Sequence, residues 1–62
     1  MKKAEFMKIA SQAASTNDDA GDPLEFIRAE RNEKGAWEAF YQDASTVYYI
    51  GEDGCFNYAG AR

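Results

Sequence analysis

Aromatic side chains are concentrated in the second half of the chain, where seven of the nine lie between positions 37 and 58. Aromatic rings bury a large apolar surface and have few torsion angles to order. Within this segment, short runs of β-branched and aromatic residues alternate with turn-forming residues, a pattern typical of strands joined by tight turns. The aromatic segment therefore predicts a small antiparallel sheet whose rings supply most of the stability.

The strand pattern is strongest over residues 46–50, where every residue is β-branched or aromatic. Two four-residue connections that contain glycine, 32–35 and 51–54, are typical of hairpins. We expect the last residues, 59–62, to fray as chain termini commonly do. The predicted strands cover about residues 24–31, 36–43, 46–50 and 55–58.

The segment before the first hairpin connection allows two interpretations. Asp22, Pro23 and Glu25 have the spacing of an N-cap, a first helical residue and a capping-box acid, so a single helical turn over 22–27 is one possibility. A strand over 24–31 would instead pair directly with the strand that follows the connection. We favour the strand, and the meander then has four strands rather than three.

An amphipathic helix is predicted over about residues 3–15, and a loop rich in turn-forming residues follows over 16–23. The apolar positions recur with the spacing of one helical face, at Phe6, Ile9, Ala10 and Ala13. The predicted fold class is α+β, with one N-terminal amphipathic helix packed on a three- or four-stranded antiparallel β-meander. A chain of 62 residues predicts a single small domain spanning 1–62.

Cys55 is the only cysteine, so the chain has no internal disulfide, and we expect this thiol to be a small buried apolar group in a reducing cytoplasm. No apolar run approaches the length that spans a bilayer, and Glu5 and Lys8 interrupt any signal-peptide core, so we expect no membrane association. A homodimer is a second way for so short a chain to bury apolar surface.

Histidine is absent, which removes the commonest general base and metal ligand. The serines lack a base, and the acidic loop from Asn17 to Gly21 breaks the calcium-loop pattern. We therefore predict a non-enzymatic protein with no cofactor and no metal. Seven basic and eleven acidic residues give a net charge of −4, which opposes nucleic-acid binding and favours a protein partner with a basic surface.

Successive strand residues point to opposite faces of a sheet, so Tyr48 and Tyr49 cannot share one core. For the same reason, Phe40 is on one face of its strand, and Trp37 and Tyr41 are on the other. Because one helix covers one face, some rings must remain on the other, where they are either ordinary cross-strand pairs or a contact surface. The candidate contact residues are five rings and five surrounding acids: Trp37, Tyr41, Tyr48, Tyr49, Tyr58, Asp18, Asp19, Asp22, Glu52 and Asp53.

These features predict a protein-binding module. A short acidic α+β chain also has the general character of small phage or mobile-element proteins, and this interpretation does not rest on a sequence motif. The leading hypothesis is a stand-alone inhibitor, of the anti-CRISPR or anti-restriction type, that occludes a basic surface of a larger bacterial complex. The alternatives are a small single-stranded nucleic-acid-binding protein, which would stack bases on the same rings, and an antitoxin or structural accessory subunit.

Overall fold

A computed structural model describes residues 1–16 and 24–62. It contains one helix followed by four strands, which form a single antiparallel sheet in the order β1-β2-β3-β4. The α+β class and the helix-plus-meander architecture are confirmed, with four strands rather than three. The elements are α1 (Lys3–Thr16), β1 (Glu25–Arg31), β2 (Trp37–Gln42), β3 (Thr46–Gly51) and β4 (Phe56–Ala61).

The core lies between α1 and one face of the sheet, which we call the covered face. Phe6 and Ala10 are fully buried on the helix, as the apolar spacing predicts, and Ala39, Tyr41 and Ile50 are their buried neighbours on the two central strands. Partly buried apolar residues pack around this centre: Met7, Ala13, Ala14, Leu24, Ala29, Trp37 and Phe56. The covered face is therefore filled mainly by aromatic and small side chains.

The segment that the sequence left ambiguous is a strand. β1 pairs with β2 along most of its length, although the register shifts between Phe26 and Arg28, which marks a β-bulge at Ile27. The register of β3 with β4 also shifts, between Val47 and Tyr48. Both irregularities involve edge strands, where bulges hinder pairing with a further chain.

Glycine is required at the turn between β1 and β2. Gly35 has φ 82°, a left-handed conformation that side chains rarely adopt, as the position of glycine at the end of the connection predicts. Asn32 closes the same turn, because its Oδ1 accepts hydrogen bonds from the backbone N–H groups of Lys34 and Ala36 at 2.9 and 3.0 Å. The turn thus fixes the register of the first hairpin.

Two expectations about the C-terminal segment are wrong. β4 continues to Ala61, and the Arg62 N–H donates to the Ser45 carbonyl at 2.9 Å, so the terminus is paired rather than frayed. Cys55 is exposed rather than buried, and it lies in the connection just before β4, an edge strand whose residues are themselves mostly exposed. The loop predicted over 16–23 falls mostly outside the described residues, and Thr16 belongs to α1.

Candidate protein-binding face

The sheet face opposite α1 is not covered by any other element of the described residues, and we call it the open face. Its members follow from the strand register and from the alternation of side chains along each strand. They are Glu25, Arg28, Glu30, Glu38, Phe40, Gln42, Val47, Tyr49, Gly51, Asn57 and Gly60.

Phe40 and Tyr49 form an aromatic pair at the centre of the open face. The two residues are cross-strand neighbours on β2 and β3, and their ring centroids are 5.8 Å apart with planes at 39°. Both side chains are partly exposed. Because the pair lies on the two central strands, its backbone is held on both sides by strand pairing and the rings form a rigid platform.

Arg28 from the edge strand β1 lies on this platform. Its guanidinium carbon is 4.3 Å from the centroid of the Phe40 ring, within cation–π distance. The Nε of Arg28 also donates to Glu30 Oε1 at 3.1 Å, although both side chains are about half exposed. The pair contributes little to stability at that exposure, and the guanidinium contacts the ring and the carboxylate together.

Carboxylates stand beside the aromatic pair. Glu30 and Glu38 are directly opposite each other on β1 and β2. Glu38 Oε2 accepts a hydrogen bond from Asn32 Nδ2 at 3.3 Å, and no lysine or arginine of the described residues forms an ion pair with it. Gly51 is the cross-strand neighbour of Glu38. The Asp53 carboxylate lies close to this glycine, since a Cβ built on Gly51 would be 3.3 Å from Asp53 Oδ1. Asp53 is therefore a third carboxylate in line with Glu30 and Glu38.

A shallow depression of about 490 Å³ opens between the β1–β2 turn and the aromatic pair. Its lining residues are Asn32, Glu33, Lys34, Glu38 and Tyr49. Apart from the ring of Tyr49, the lining is polar, and it has two carboxylates against one ammonium group. The depression therefore suits a polar or cationic group rather than an apolar ligand.

The structure divides the five candidate rings between the two faces. Tyr49 lies on the open face, whereas Tyr41 is only 5% exposed in the core and cannot take part in a contact surface without unfolding. Trp37 lies on the covered face with its ring stacked on Phe6, and its Nε1 donates to the Met1 carbonyl at 3.0 Å. These rings are therefore not brought together as one surface.

The two remaining candidate tyrosines lie on the helix side of the sheet. Tyr48 makes an edge-on contact with Phe56, with ring centroids 5.8 Å apart. Tyr58 is opposite Tyr48 on the edge strand β4 and is 69% exposed. The alternation predicted for Tyr48 and Tyr49 is confirmed, and Tyr49 is the residue that faces away from the helix.

The candidate acids that the structure describes have local structural partners. Glu52 Oε2 accepts the backbone N–H of Trp37 at 2.9 Å, and Asp53 Oδ1 accepts that of Cys55 at 3.0 Å. The hydrogen bond from the Cys55 N–H holds the pKa of Asp53 below its ordinary value. The other three candidates, Asp18, Asp19 and Asp22, lie outside the described residues, as does the acidic loop weighed as a calcium site.

Residues that the candidate list missed are Phe40, Arg28, Glu30 and Glu38. The alternation along β2 already placed Phe40 and Glu38 together, away from Trp37. Which residues of β1 lie on the open face depends on the bulge at Ile27. The bulge makes Arg28, rather than Ile27, the cross-strand neighbour of Phe40. No local sequence pattern signals that shift.

Searches against protein-family models, curated proteins and solved structures found no match to this chain. No helix in the described part of the chain is long and apolar enough to cross a membrane. Within residues 1–16 and 24–62, no three side chains of histidine, cysteine, aspartate or glutamate are grouped so as to hold a metal ion. The open face is therefore the candidate functional surface among the described residues.

Proposed function

We propose that the protein is a non-enzymatic binding module that uses its open face to contact a protein partner with a basic surface. The observation that carries the proposal is the pair of partly exposed rings, Phe40 and Tyr49, at the centre of a sheet face that no described element covers. Aromatic residues at the centre of a contact surface provide most of the binding free energy in protein interfaces.

The aromatic pair is already in place before a partner binds. Cross-strand pairing on both sides restricts the backbone of Phe40 and Tyr49, and their side chains contact each other. Little conformational entropy is therefore lost when the partner covers them, which favours affinity.

Charge favours a basic partner. Three glutamates on the open face, Glu25, Glu30 and Glu38, exceed the single arginine, and the chain as a whole has a net charge of −4. Complementary charge at the rim of an interface speeds association and excludes acidic competitors. The same balance disfavours a nucleic acid, whose phosphates would meet these carboxylates.

We further propose that binding acts by occlusion, as in a stand-alone cytoplasmic inhibitor of the anti-CRISPR or anti-restriction type from a phage or mobile element. The support is the combination of a rigid aromatic platform and excess acid, which matches a nucleic-acid-binding surface on the partner. An antitoxin or an accessory subunit would use the same face on a different partner.

Affinity capture from a bacterial lysate tests the proposal with matched tyrosine variants. We expect a basic protein to be retained by wild type and by Tyr58→Ser, whose ring is exposed on the helix side, and to be lost with Tyr49→Ser. Raising the salt concentration should slow association of the purified partner. Equal capture by the two variants, at matched folded fractions, contradicts the use of the open face.

A second copy of this chain is the other protein that the open face would fit. Sedimentation of wild type and Tyr49→Ser at several concentrations distinguishes the two cases. A dimer that dissociates only in the Tyr49 variant would replace the basic partner with a homodimer.

Single-stranded nucleic acid is the second candidate partner, because the two adjacent rings and Arg28 resemble a stacking platform. Fluorescence anisotropy with a labelled oligonucleotide measures it directly. Binding that weakens steeply with salt and requires Tyr49 would favour this alternative over the protein partner.

A further inference from the structure

Arg28 shows how the open face holds an arginine. Its guanidinium lies over the Phe40 ring at 4.3 Å while its Nε donates to Glu30 at 3.1 Å. The planar guanidinium uses its face on the ring and its edge on the carboxylate, a combination that an ammonium group cannot reproduce. One ring and one carboxylate of adjacent strands thus contact both the face and the edge of this arginine side chain.

A second ring and carboxylate stand next to the first pair. Tyr49 is the cross-strand neighbour of Phe40, and Glu38 is the cross-strand neighbour of Glu30. Both Tyr49 and Glu38 line the depression beside the β1–β2 turn. The strand register therefore repeats the ring and the carboxylate one strand further into the sheet, with Phe40 at the position that corresponds to Arg28.

No cation of the described residues occupies this second arrangement. Glu38 has a long hydrogen bond from Asn32 at 3.3 Å, and the ion pair on this face belongs to Arg28 and Glu30. Glu38 also faces Glu30 directly, and the charge of Glu30 is compensated by Arg28, whereas that of Glu38 is not compensated by a cation of the described residues. A cation placed beside Glu38 would compensate its charge as Arg28 compensates that of Glu30.

The space beside Glu38 is suited to a side chain from another molecule. Its neighbour on β3 is Gly51, which has no side chain, and the Asp53 carboxylate lies beside that glycine. Among the described residues that line the depression, Lys34 at the rim is the one with a basic group. Its flexible chain can approach Glu38 but has no planar group to lie on the ring of Tyr49.

We propose that the depression between Tyr49 and Glu38 receives an arginine side chain of the protein partner. The guanidinium stacks on the Tyr49 ring and donates to the Glu38 carboxylate, in parallel with Arg28 on Phe40 and Glu30. This inference rests on the proposed function, and it names the group on the basic partner that the open face recognises.

An NMR titration of the full chain with N-acetyl-arginine amide tests the site without the partner. We expect saturable shifts of the backbone amides around Tyr49 and Glu38. The citrulline analogue, which has the same shape without the charge, should cause none, and the lysine analogue should bind more weakly. Glu38→Gln should weaken arginine binding about tenfold, the loss of one charge-assisted hydrogen bond.

Three further variants complete the titration. Glu25→Gln, on the same face but away from the depression, should leave arginine binding unchanged, and Tyr49→Leu should weaken it. Lys34→Gln should strengthen it by removing a competing cation. Equal shifts with arginine and citrulline, or equal weakening by Glu25→Gln and Glu38→Gln, would overturn the inference.

The titration and the capture experiment fail independently. Capture of a partner that depends on Tyr49, together with no arginine binding at the depression, overturns the arginine site and leaves the protein-binding function standing. Arginine binding at the depression, with capture that does not depend on Tyr49, supports the site and overturns the proposed function.

Discussion

Trp37 and Phe6 stack with their ring centroids 6.0 Å apart and their planes at 15°. The contact joins the first turns of α1 to the start of the central strand β2. Trp37 also donates through Nε1 to the Met1 carbonyl, and Arg31 lies over its ring with the guanidinium carbon 4.5 Å from the centroid. One side chain thus ties the helix, an edge strand and the N-terminal residue together.

Replacing Trp37 with alanine should unfold the isolated protein. Removing a fully buried large ring costs about 3–5 kcal/mol, and for the partly buried Trp37 even a part of that is a large share of the stability of a chain this short. Trp37→Phe retains a ring for Phe6 to pack on and should lose less. Chemical denaturation followed by circular dichroism measures both, and an alanine variant with a midpoint close to wild type would show that the stack contributes little.

Tyr48 and Tyr49 should respond in opposite ways to alanine. Tyr48 packs on Phe56 on the covered side, so Tyr48→Ala should lower the free energy of unfolding by about 1–3 kcal/mol. Tyr49→Ala should cost less stability but raise the off-rate of the captured partner about tenfold or more. Surface-binding kinetics and denaturation measure both quantities. Equal off-rate effects at unchanged stability would refute the assignment of the two faces.

Protonation of Asp43 at acid pH should weaken the turn between β2 and β3. Its Oδ1 accepts the backbone N–H groups of Ser45 at 2.9 Å and Thr46 at 2.8 Å, and these bonds hold the pKa of Asp43 below its ordinary value of 3.8. A carboxyl whose pKa is lower in the folded state stabilises the fold above its unfolded pKa and loses that contribution as the pH falls through the folded pKa.

The stability lost as the pH falls below about 4 should therefore be smaller in Asp43→Asn than in wild type. The amide keeps an oxygen that can accept both N–H groups, so this variant should remain folded at neutral pH. Thermal unfolding across that pH range measures the difference, and a carboxyl NMR titration gives the pKa of Asp43. An unaltered acid profile in the variant would show that other carboxylates dominate.

The Cys55 thiol should react slowly for an exposed cysteine. The negative charge of Asp53 raises its pKa, so less of the reactive thiolate is present at neutral pH. Asp53→Asn should lower that pKa and speed alkylation at fixed pH by about two- to fivefold, the range expected for an exposed charge pair. Glu33→Gln serves as the control and should leave the rate unchanged. A rate that does not respond to Asp53→Asn would contradict the electrostatic cause.

Short-range features of the sequence predicted most of the elements. The β-branched and aromatic run around Val47 and Ile50, and the glycine at position 35, specify a strand and a turn through local sterics. The spacing of Phe6 and Ala10 likewise specifies a buried helical face. These preferences act within a few residues, so they can be recognised in one dimension.

The edges of the sheet could not be predicted in the same way. The bulge at Ile27 and the pairing that extends β4 to Ala61 arise from how neighbouring strands align. Cys55 is exposed, and so are most residues of the edge strand β4 that follows it, although its own apolar character favours burial.

The sequence by itself determined that Tyr48 and Tyr49 point to opposite faces, because the period of a strand is two residues. Only the tertiary structure decided that the helix lies over Tyr41 and Ile50, which leaves Phe40 and Tyr49 on the open face. The helix is distant in sequence from the strands that it covers, so the choice depends on packing across the whole molecule. The positions of Phe40 and Tyr49 relative to the glutamates of the neighbouring strands also depend on the strand register, which the sequence alone does not specify.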